Sequence, residues 1–153
     1  MSGERRLGRV LLAAVMAGGC ASVSALTFVG STSAPKDEAY TCIHRYVTKA
    51  GYEIESADRA GGIIKVTRLA PDPALQSTHE GSMYDSMSFT LAESKDPKKC
   101  SLQASVDGYV RTADGKKRPH EPSRAANADA WAIINECHIE NVSDIHPLDL
   151  TKP

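Results

Sequence analysis

Four groups of residues have types and spacings that could do chemistry, and the cysteines come first. Cys20, Cys42, Cys100 and Cys137 form an even set, and a thiol serves as nucleophile, metal ligand or half of a disulfide according to its surroundings. His79-Glu80 and His120-Glu121 twice set an imidazole beside a carboxylate, the donor types of a zinc site. Glu53 and Glu55 lie at i, i+2, which puts two carboxylates on one face of a strand, and general acid work there needs desolvation of one of them. Lys116-Lys117-Arg118, with Arg111 and Arg124 nearby, suits either an anionic partner or a soluble loop. None of these groups has a recognised catalytic spacing: His-Glu-x-x-His, Cys-x-x-Cys and Gly-x-Ser-x-Gly are all missing from the sequence. His44 falls inside a helical pattern, as a surface or packed residue. The residue patterns therefore point to a chain that is not an enzyme, with no catalytic residue and no cofactor. They point to no metal site either, with His79, Glu80, His120 and Glu121 as the one conceivable set.

Length and charge bound the rest. A chain of 153 residues with 24% charged and 41% hydrophobic residues is long enough for one globular domain. Its 18 basic and 19 acidic side chains give no electrostatic reason to bind nucleic acid.

The N-terminus reads as an export signal. Arg5, Arg6 and Arg9 precede the apolar run Val10 to Ala17, which stops at Gly18-Gly19-Cys20. Ala17-Gly18-Gly19-Cys20 resembles the lipobox of bacterial lipoproteins, with Ala17 where that family usually has Leu. The resemblance implies cleavage before Cys20 and acylation of its thiol, with several chains on one residue, each buried CH₂ contributing about 0.8 kcal/mol. Two other readings stay open. An ordinary signal could end at Val23-Ser24-Ala25, leaving a soluble secreted or periplasmic protein, and the uncharged stretch Val10 to Val29 is long enough to span as an anchor. Removal of residues 1–19 takes away three Arg and one Glu, so the mature net charge is −3.

The elements that must position the candidate groups follow from periodicity. Residues 21–36, rich in Ser, Ala and Thr, read as a tether. Ala39, Ile43, Tyr46, Val47 and Ala50 recur at helical spacing and stop at Gly51. Tyr52 to Glu55, a turn at Asp58 to Gly62, and Ile63 to Leu69 make a hairpin. Met83 to Leu91 and Cys100 to Val106 alternate as strands, and Ala126, Ala130, Ile133, Ile134 and Cys137 mark a closing helix with Ser123 or Asn127 as N-cap. Trp131 belongs near the packed side of that helix. The predicted fold is a two-layer α+β domain of order α-β-β-β-β-α, a four-stranded antiparallel sheet with both helices on one face. The domain spans 37–153, with a surface tail from about 138.

Signal removal leaves three cysteines, so one bridge and one spare thiol are expected in an exported chain. In this topology Cys42 and Cys137 lie on adjacent helices and make the leading pair, with pairings through Cys100 open. The loops 70–82 and 111–125 both leave the bottom of the sheet, the premise of the His/Glu metal set.

Gly51-Tyr52-x-Ile54, the turn Asp58-Arg59-x-x-Gly62 and Ile63-Ile64-x-Val66 fall within Tyr40 to Leu69. This stretch resembles small bacterial envelope lipoproteins, including the helix-grip domains of the lipoprotein subunit of the outer-membrane β-barrel assembly machinery. The resemblance implies a non-enzymatic accessory or binding domain. The expected function is thus a cell-envelope lipoprotein that binds or scaffolds, held at a membrane by lipidated Cys20, its partner an envelope protein or ligand. The alternative is a small secreted hydrolase or metal-dependent enzyme built on loops 70–82 and 111–125.

Overall fold

The computed structural model describes residues 26–76 and 80–145. Residues 1–19, read above as a signal, and Cys20 and His79 lie outside them. In chain order the elements are β1 (Leu26–Thr32), α1 (Lys36–Lys49), β2 (Glu53–Asp58), β3 (Ile63–Leu69), the single turn α2 (Pro73–Gln76), β4 (Gly81–Glu93), β5 (Cys100–Thr112), β6 (Lys117–His120), α3 (Arg124–Glu136) and β7 (Ile139–Ile145).

The strands form one antiparallel sheet of order β2-β3-β4-β5-β1-β7, with β6 also on β5. The 13-residue partners β4 and β5 are its spine, in register from Gly81 opposite Thr112 to Glu93 opposite Cys100. One edge of β5 hosts two strands end to end: β1 along Cys100–Val106 and β6 along Gly108–Arg111.

Helix α1 carries Asp37 and Glu38 in its first turn and Lys49 in its last, each complementing the helix dipole. It ends where Gly51, at φ +83°, donates to the Thr48 carbonyl while Tyr52 N–H reaches the Val47 carbonyl, the paired closure that a left-handed residue permits. Its Ala39, Tyr40, Ile43 and Val47 enter the same apolar cluster as Ala130, Ile133 and Ile134 of α3. The sheet contributes alternate residues to that cluster, among them Phe28, Ile64, Val66, Met87, Phe89 and Val106. Met87, Phe89 and Leu91 stand in register with Val106, Ala104 and Leu102, so one face of the sheet supplies the core.

The four-stranded order read from the sequence is corrected to seven strands. Each extra strand has a reason for escaping a periodicity reading. β1 lies in the segment taken as tether. It turns Phe28, Gly30 and Thr32 inward, so two of its three core positions hold a glycine and a hydroxyl. A Cβ on Gly30 would stand 2.6 Å from Ile139 Cγ2; glycine is what lets β7 cross there. β7 lies in the segment taken as a tail from about 138. Its ladder shifts between Val29 and Ser31 of β1, and Asn141 has φ +53°, so its apolar residues no longer fall every second position. β6, within the loop 111–125, is exposed throughout and contains Pro119, a composition tolerated only at a sheet edge.

Candidate functional site

The face of the sheet opposite the helices carries the larger set of ordered polar groups. Ser88 and Ser105 hydroxyls lie 2.8 Å apart across β4 and β5, and Ser105 donates on to Asp107 at 3.4 Å. Burial pushes the Asp107 carboxyl above its ordinary pKa, with the Ser105 hydrogen bond opposing. Tyr84 and Tyr109, partners in the ladder, stack with centroids 5.3 Å apart at 8°. The Tyr109 hydroxyl is hydrogen-bonded to Thr67 Oγ1 at 3.0 Å, and Thr67 also donates to the Asp85 carbonyl at 3.2 Å. Cations cover the two rings: Arg111 lies 4.9 Å over Tyr84 and Lys117 4.5 Å over Tyr109.

This face is not flat. Glu55 on β2 and Lys117 on β6 are four strand steps apart, about 19 Å in an untwisted sheet, yet they form an ion pair of 2.9 Å. Sheet twist and coiling bring opposite corners over the same face. The Glu55 hydrogen bond holds the Lys117 ammonium above its ordinary pKa. Tyr109, beneath that strap, is only 7% exposed. Beside it opens a cleft of about 360 Å³ whose lining includes Glu53, Thr67, Arg68, Leu69, Tyr84 and Arg111.

A second cluster lies under the cleft, on the helix side. Arg68 Nη2 meets Asp129 at 2.7 Å, Nη1 donates to the Ala50 carbonyl at 2.8 Å, and the guanidinium lies 4.1 Å over the Tyr52 ring. Its Nε is buried without a hydrogen-bond partner among the described residues. Tyr52 donates to Asp129 at 3.3 Å. Burial pushes its hydroxyl far above the ordinary tyrosine range, with Arg68 pulling the other way. Asp85, fully buried, accepts from the Ser123 N–H at 2.8 Å and the Ser123 hydroxyl at 2.7 Å, and Ser123 Oγ caps α3 by accepting from Ala126 N–H. The cluster fixes α3 to β4, and its Arg68 lines the cleft.

The candidate groups from the sequence are distributed as follows. Cys42 and Cys137 form a disulfide with Cα atoms 5.8 Å apart, and Cys100 is a buried free thiol whose pKa burial raises. Loops 70–82 and 111–125 do meet, but through Arg118 and Glu80 at 3.5 Å. His120 Nδ1 lies 2.8 Å from the Glu121 carbonyl oxygen. Among the described residues no three His, Cys, Asp or Glu side chains gather as a metal site. The basic run is split: Lys116 pairs with Asp114 at 2.9 Å, Lys117 with Glu55, and Arg118 with Glu80. Trp131 is 40% exposed, edge-on to Phe28 at 4.9 Å.

Asp85, Arg68, Tyr84 and Tyr109 escaped the sequence reading, although two left a signal. Asp85 continues the inward series Leu91, Phe89, Met87, and Arg68 continues Val66 and Ile64. A charge at core-facing parity requires a partner.

No family model and no curated protein matches the chain. Among solved structures it is similar to a DUF4468 family protein from Bacteroides ovatus ATCC 8483, at 10% identity and a TM-score of 0.28, over 61% of this chain and 59% of that one. A likeness of that size carries no argument about fold or function.

Proposed function

We propose that the chain is a non-catalytic binding domain of the bacterial cell envelope, exported and held at a membrane by acylated Cys20, with the cleft on the polar sheet face as its docking surface. The observation that carries the binding reading is the cleft itself: Thr67, Leu69 and the Tyr84 ring, which stacks on Tyr109, line it together with the Glu53 carboxylate and the Arg68 and Arg111 guanidinium groups, contributed by four different strands. Pockets that recognise ligands combine an apolar or aromatic surface with a few fixed polar groups in this way. The Cys42–Cys137 bridge supports export, because disulfides persist in oxidising compartments.

Two measurements test the reading. Intact mass of membrane-extracted protein reads the tether: a diacylated species beginning at Cys20 is expected, and a lipid-free species beginning at Ala21 or later overturns it. A photo-crosslinking side chain at Leu69, in the cleft, is compared with one at Ala132, on the exposed side of α3. Adducts in native envelopes from Leu69 alone are expected. Equal yields at both positions, or adducts from Ala132 alone, refute the cleft as docking surface.

A further inference from the structure

The charges around the cleft fall into two groups. Lys117 is committed to Glu55, and Arg68 spends its two terminal nitrogens on Ala50 and Asp129. Two lining charges have no ion-pair partner among the described residues: Glu53, from β2, and Arg111, from β5. They come from opposite sides of the β3–β4 pair, as Glu55 and Lys117 do. One cross-sheet pair is therefore closed, and the other is open with about 360 Å³ of space beside it. That volume is near the lower end for small-molecule sites.

We propose that the cleft binds a short zwitterionic peptide, its carboxylate on Arg111 and its ammonium on Glu53. The inference rests on the binding reading above and adds the ligand class. A simple anion would satisfy Arg111 but lie in a cleft that also holds the unpaired Glu53 carboxylate; a simple cation would satisfy Glu53 but lie in a cleft that also holds Arg111. A molecule with both charges completes the open pair without leaving either uncompensated. Arg111 is held by its contact with the Tyr84 ring, so its planar fork is preorganised for a carboxylate. Leu69, 38% exposed, and the Tyr84 ring supply apolar surface for small side chains between the two ends. An extended chain spans at most about 3.3–3.6 Å per residue, so a dipeptide and a tripeptide offer two different separations of the end charges.

The test is calorimetric titration of the full mature protein with dialanine and trialanine, each also supplied N-acetylated or C-amidated. Saturable binding of at least one free peptide is expected, with about a tenfold loss on acetylation and a similar loss on amidation, as for a charge-assisted contact removed at each end. Glu53→Gln should weaken the free peptide about tenfold and leave the acetylated one unchanged. Arg111→Gln should weaken the free peptide similarly and leave the amidated one unchanged. Neither residue makes an ion pair within the described structure, so both variants should fold, and circular dichroism checks that they do. Equal affinity for free and acetylated peptide overturns the proposal in favour of simple anion binding. Absence of saturation by either free peptide also overturns it. If Leu69 still crosslinks a partner in that case, the docking surface stands and only the ligand class has failed.

Discussion

Replacing Asp85 by Ala tests the buried link between sheet and helix. Asp85 is fully buried in β4 and accepts two hydrogen bonds from Ser123, at 2.8 and 2.7 Å, while Ser123 Oγ accepts from Ala126 N–H at 3.1 Å. Truncation removes the acceptor of both donors and one counter-charge, 3.8 Å from Arg68 Nη2. Two charge-assisted bonds of about 1.5–3 kcal/mol each set an upper range of about 3–6 kcal/mol. The variant no longer buries a carboxylate, which offsets part of that loss. Removal of one partner from a buried polar pair costs about 3–5 kcal/mol on general grounds, and the lower end applies here because Arg68 keeps Asp129 at 2.7 Å. At roughly 3–5 °C per kcal/mol for a domain of this size, the thermal midpoint should fall by about 10–15 °C. The assay is urea and thermal unfolding of the oxidised protein, followed by far-UV circular dichroism and Trp131 fluorescence. Ser123→Ala alone should cost about 1–2 kcal/mol, the usual loss of a side-chain cap. The double variant should then be less destabilised than the two single losses combined, by more than about 1 kcal/mol, because the residues share one interaction. A loss below about 1 kcal/mol for Asp85→Ala, or strict additivity with Ser123→Ala, would refute the assignment of Asp85 as the anchor of α3.

Three further outcomes are expected. Reduction of Cys42–Cys137, which closes a separation of 95 residues, should lower stability by about 4–5 kcal/mol in the chain-entropy description, measured as a shift in the urea midpoint between oxidised and Cys42→Ser/Cys137→Ser protein. Asp107→Asn should raise the thermal midpoint at pH 7 and give no gain at pH 3. Burial raises the Asp107 pKa in the fold, so its neutral form is favoured: the native advantage is full below the unfolded carboxyl pKa and is lost as pH rises through the folded value. Cys100, 1% exposed with its thiol pKa pushed up by burial, should resist iodoacetamide in the native protein and react in denaturant, read by mass spectrometry of its peptide.

Helices α1 and α3, the β2–β3 hairpin and the spine strands β4 and β5 were legible because each carries its own period. An apolar residue every three or four positions, or every second one, reports a buried face before any partner is known. The candidate site was legible only in part. Glu53 and Glu55 stood out as carboxylates and Lys117 as part of a basic run, but the pairing of Glu55 with Lys117 depends on twist accumulated over four strand steps. The tyrosine pair was hidden for a related reason. Tyr84 and Tyr109 are 25 positions apart, and only the β4–β5 register makes them neighbours.

The sequence by itself determined the periodic local structure and the presence of charges at inward positions of two strands. Tertiary structure decided which weakly patterned segments join the sheet. β1 and β6 complete the edge of β5, and β7 joins through β1 where Gly30 admits Ile139. It also decided which opposite charges meet and which stay apart. Periodicity is a property of neighbours along the chain, whereas edge pairing, twist and cross-sheet charge contacts are set by the geometry of the closed domain.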